Sequence, residues 1–113
     1  MAKYESQLNT DASRLASYLD SGIMNSASSI ELVDSAVQRM GDVTVWLYMY
    51  DKYYMRNSSR AALTVQIIGD SEKANVTAIS AGGGTGIIFN FSYGAETDFV
   101  STVAELIDAY SET

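Results

Sequence analysis

Residues 43–55, VTVWLYMYDKYYM, constrain the fold more than any other stretch of the chain. At the two-residue period of a β-strand, Val43, Val45, Leu47 and Met49 fall on one side, while Thr44, Trp46, Tyr48, Tyr50 and Tyr54 fall on the other. A helix would scatter these side chains around its circumference, and the density of aromatic and β-branched residues favours the pleated form. The stretch reads as a long strand with an aliphatic, dry face and an aromatic face able to meet water or a partner.

The segments that follow continue as an antiparallel meander. RNSSR at 56–60 supplies turn residues, and 61–68 returns as a strand with Leu63, Val65 and Ile67 opposite Ala62, Thr64, Gln66 and Ile68. A turn at 69–73 leads to a strand over 75–80, and AGGGTG at 81–86 leads to a fourth strand over 87–93. From Ala95 the pattern changes to a helix. Glu96 and Asp98 suit its positive end, and Phe99, Val103, Leu106, Ile107 and Tyr110 share one face.

Ahead of the long strand, 3–8 alternates as a short strand, and Asn9-Thr10-Asp11 offers capping oxygens for a helix with Ala12, Leu15, Ala16 and Leu19 on its apolar stripe. Gly22 is the expected stop. For 28–40 the capping pair Ser28/Glu31 and the spacing of Ile30, Val33, Val37 and Met40 predict a second helix. The competing strand places Ile30, Leu32 and Ala36 together, and Asp34 interrupts it. The expected fold is α+β: one domain over 1–113, ordered β-α-α-β-β-β-β-α, with a single antiparallel sheet (a four-strand meander plus a short N-terminal strand) covered by a long C-terminal helix.

Composition narrows the chemistry. At 113 residues and 47% hydrophobic content the chain can bury roughly 65% of its extended surface, enough for a core without staples. It has no cysteine and no histidine, which excludes thiolate chemistry, zinc ribbons and the usual His-dependent triads and metal sites. Seven basic residues against fourteen acidic ones give a formal charge of −7, a field that repels phosphate backbones, so no nucleic-acid partner is expected. No run approaches the roughly 20 apolar residues of a membrane span and the N-terminus lacks a signal-type apolar core, so a cytoplasmic protein without a membrane partner is expected.

Two candidate sites follow. In a meander the turns at 56–60 and 81–86 share one end of the sheet, where Arg56, Asn57, Ser58 and Arg60 would stand beside Gly82, Gly83 and Gly84. Arginines and glycine-loop amides could together hold a small anion. The plainer alternative is a flexible hairpin with solvated arginines, since the glycines lie between two strands and lack the helix that a phosphate loop needs. The second candidate is an interface made by Trp46, Tyr48, Tyr50 and Tyr54, on which a second copy would dock. Its alternative is that the helices cover this face and make it core. The acidic pairs Glu96/Asp98 and Asp70/Glu72 read as solvated charge, and no metal, cofactor or catalytic residue is implied.

The segments YYMRNSSRA at 53–61, AGGG at 81–84 and FSYGAETDFV at 91–100 resemble a family of small bacterial proteins of unknown function. The resemblance covers most of the chain and brings no catalytic residue with it. In layout alone the element order is similar to the TATA-binding-protein-like and helix-grip folds. The expected function is a non-enzymatic interaction or ligand-binding domain, self-associating through a sheet surface. The alternative is an anion pocket between sheet and helix, with weak catalysis by a tyrosine or carboxylate.

Overall fold

The computed structural model describes residues 2–55, 58–82 and 95–111. Its elements are β1 (Ala2–Leu8), α1 (Ala12–Met24), β2 (Ile30–Met40), β3 (Val43–Tyr54), β4 (Ser59–Gly69), β5 (Ala74–Gly82) and α2 (Ala95–Ser111). The strands form one antiparallel sheet in the order β1-β5-β4-β3-β2, with both helices on the same face. The α+β class, the single sheet and the C-terminal helix are as expected. The strand expected over 87–93 lies outside the described residues.

The expected second helix is replaced by β2, which pairs with β3 from Ile30↔Lys52 to Met40↔Val43. Two features produce the misleading helical spacing. The register shifts between Leu32 and Asp34, a bulge that moves every later side chain to the opposite face and breaks the alternation at Asp34. Gly41, with φ +64, sits in the Gly41-Asp42 hairpin turn, yet the same left-handed glycine would also serve as a helix C′ residue. Pairing with the long aromatic strand decides between the two.

Helix α1 starts where expected: Asp11 is its N-cap, and its carboxylate accepts the Ser13 N–H at 3.0 Å. It does not stop at Gly22 but continues to Met24. Gly22 instead permits close packing of the helices, because a Cβ there would lie 2.6 Å from Leu106 Cδ2 of α2. Tyr18 reinforces this contact by donating to the Leu106 carbonyl at 2.7 Å, and its ring centroid lies 4.8 Å from that of Tyr110.

The core lies between the sheet and the helices. Leu63, Val65 and Ile67 of β4 and Val76 and Ala78 of β5 meet Leu15, Leu19 and Ile23 of α1 and Phe99, Val103 and Ile107 of α2. Burying each of the larger side chains contributes about 1.5–3 kcal/mol. The two faces of β3, however, exchange their expected roles. Cross-strand partners share a face, and the register Trp46↔Ile67, Tyr48↔Val65 and Tyr50↔Leu63 turns the aromatic side toward the helices. The aliphatic side is left on the open face.

Candidate functional site

The four aromatic residues expected at an interface belong to the core layer. Tyr50 has no exposed surface, and its hydroxyl donates to Asp20 Oδ1 at 2.6 Å. Burial, then the hydrogen bond and charge of Asp20, hold its phenol far above the usual tyrosine range. Burial and the charge of Asp20 also raise Tyr48, whose ring stacks on Tyr50 with centroids 6.1 Å apart. Trp46, Tyr48 and Tyr54 are half-buried against the core, and the Lys52 ammonium lies 4.6 Å from the Tyr54 ring and 5.6 Å from Phe99. The reason is amphipathic: a tyrosine can carry its hydroxyl under a helix when a carboxylate such as Asp20 receives it.

At the proposed anion site, Arg56, Asn57, Gly83 and Gly84 lie outside the described residues. Gly82 pairs with Ala61, which places the end of β5 beside the start of β4. Ser58 takes a left-handed backbone, φ 55, and is exposed. Arg60 points to the open face, where its guanidinium is bonded to the Asp51 carboxylate and lies 5.8 Å from the Tyr53 ring centroid. The one arginine of this site that the structure describes is thus neutralised by an acid on the adjacent strand, which leaves little charge for an anion.

The open face carries what the sequence reading missed. Val43, Leu47 and Met49 of β3 are 38%, 41% and 43% exposed. By register they adjoin Met40 and Ala36 on β2 and Ile68 on β4, through Val45↔Ile68, Ala36↔Leu47 and Met40↔Val43. An apolar ridge therefore runs along β3. Toward β5 and β1 the face becomes more polar, with Thr64, Gln66, Thr77, Glu5 and Lys3 around Ile79, which is 39% exposed. The signal that could have found the ridge was parity: Tyr50 and Leu63 are directly opposite, so an apolar inner face on β4 obliges the tyrosines to point inward.

Sheet edges are the other reactive feature of such a fold. Edge strand β2 is exposed along all but its first residue. It is blunted by the bulge, and the Asp34 carboxylate accepts the Ser35 N–H at 2.8 Å, competing with any incoming strand. Among the described strands the opposite edge is β1, which is seven residues long and carries the Lys3–Glu5 ion pair at 3.8 Å.

Among the described residues no group of three or more acidic side chains is placed to hold a metal ion, and no helix is long and apolar enough to cross a membrane. The hydroxyl of buried Ser80 donates to the Ala62 carbonyl at 2.8 Å.

No curated protein matches the chain. Among solved structures it is similar to the crystal structure of TTHA0849 from Thermus thermophilus, at 12% identity over 98% of this chain and 94% of that one. The TM-score of 0.35 is too low for that likeness to carry an argument. The sequence itself matches a family model over residues 1–111. The chain belongs to DUF6054, a family of unknown function.

Proposed function

We propose that this chain is a non-enzymatic, cytoplasmic interaction domain that self-associates through the open face of its sheet. The observation that carries the reading is the exposed ridge of Val43, Leu47 and Met49, with Met40 and Ile68 beside it. Contiguous apolar surface of this kind is where associations form. The five described strands, at about 4.8 Å spacing and some 30 Å of length, offer about 700 Å² per copy, close to the roughly 800 Å² per partner of a standard interface. On that face Lys3 is paired with Glu5 and Arg60 with Asp51, and the carboxylates of Glu31 and Asp34 stand on strand β2, at the rim of the face rather than on the ridge. The blunted edges favour face over edge. A cytoplasmic location fits a chain without cysteine, whose stability comes from its aliphatic core rather than from bridges made in an oxidising compartment.

Light scattering tests the reading. The native chain should show the mass of two or more copies, and Leu47→Lys, a substitution at an exposed position, should return it to one copy with its circular dichroism unchanged. A native chain that is monomeric at millimolar concentration, or an unchanged mass for the variant, would overturn it.

A further inference from the structure

On the helix-covered side, the sheet extends beyond its cover. Between the first turn of α1 and the tip of the β2–β3 hairpin a cleft of about 690 Å³ opens, a size typical of recognition sites. On its floor Trp46 is half-buried beside its β2 partner Val37, which is 60% exposed, with Thr44 and Arg39 next along the two strands. Its rim is acidic. Asp11, Asp42, Asp70 and Glu72 line it against the guanidinium of Arg39, whose Nε donates to the Gly41 carbonyl at 3.1 Å.

Two of these carboxylates are fixed by the backbone. Asp11 caps α1 through Ser13, and Asp70 accepts the N–H groups of Glu72 and Lys73 at 2.8 and 2.9 Å. The two walls are tied to each other, because the Ala12 N–H donates to the Asp70 carbonyl at 2.9 Å. The negative rim is thus built into the frame, and Asp42 and Glu72 stand beside it on the two turns.

We propose that this cleft is a docking site for a basic segment of a partner protein, which lays an apolar side chain on Val37 and Trp46 and sets Lys or Arg side chains against Asp42 and Glu72. Charge complementarity selects this occupant. The carboxylates of this rim would repel a nucleic acid and the same acidic turns of a second copy. Arginine suits the site best, since its planar group can stack on an indole while bonding carboxylates. The site is on the opposite face from the self-association ridge and does not depend on it.

Trp46 is the only tryptophan, so its emission reports the cleft directly. The full chain is titrated at low ionic strength with a short synthetic peptide of alternating Arg and Leu. A saturable shift of Trp46 emission is expected, with affinity lowered about tenfold in Asp42→Asn with Glu72→Gln and less than about twofold in Glu5→Gln with Glu105→Gln, which removes the same charge elsewhere. No saturable change at Trp46, an equal loss from both charge pairs, or equal binding of a Glu-Leu peptide would overturn the proposal.

Discussion

Replacing Tyr50 by Phe removes one oxygen from the middle of the inner face and leaves the packing of its ring in place. The lost hydrogen bond, 2.6 Å from Tyr50 to Asp20, has an ionised acceptor, for which about 1.5–3 kcal/mol is typical. Asp20 is only half-buried and can recover water, so the net loss at pH 7 should be about 1–2 kcal/mol. With a urea dependence of about 1–3 kcal/mol/M for a chain of this size, the midpoint followed by Trp46 emission should fall by roughly 0.5–1 M. The pH dependence gives a second reading of the same contact. The folded-state pKa of Tyr50 is raised, so its stabilisation is complete below the unfolded tyrosine value near 10 and declines as pH rises above it, when the unfolded chain releases a proton that the native chain retains. Between about pH 10 and 11 the native protein should therefore lose up to about 1.4 kcal/mol more per pH unit than Tyr50→Phe. Equal midpoints at pH 7, or parallel alkaline profiles, would refute the Tyr50–Asp20 contact and with it the inward orientation of the aromatic side of β3.

Three further outcomes follow from the packing. Gly22→Ala should lower the melting temperature despite the better helix propensity of alanine, because its Cβ would lie within 3.3 Å of three Leu106 atoms; Leu106→Ala in the same chain should cancel part of the loss in a double-mutant cycle. Leu63→Ala, at a fully buried position in the central strand, should cost about 2–5 kcal/mol in chemical denaturation. Asp34→Ala, which frees the Ser35 N–H on the β2 edge, should leave monomer stability within about 0.5 kcal/mol while increasing aggregation seen by turbidity.

The elements most legible in the sequence were those whose period was undisturbed. The β3 and β4 alternation and the α2 stripe are regular, and they appear in the structure within two residues of the expected bounds. β2 was misread because one bulged residue shifts its period, and because a hairpin glycine and a helix-terminating glycine share the same backbone sign. The side on which β3 buries its tyrosines was not legible either. That choice depends on the register with β4 and on an acceptor, Asp20, thirty residues away. Of the candidate sites, the aromatic face is the helix-covered one, which is the alternative that its composition leaves open. The anion site rested in part on Arg60, whose acid partner Asp51 becomes visible only when the strands are paired.

Small-angle X-ray scattering of the native chain distinguishes the two ways in which copies can join, because stacking on the open face thickens the particle across the sheet whereas edge pairing extends the sheet. The expected result is the mass of two chains in a compact particle, thickened across the sheet rather than lengthened along its width. The mass of a single chain at every concentration, or a dimer lengthened as an edge-to-edge pair would be, would contradict it.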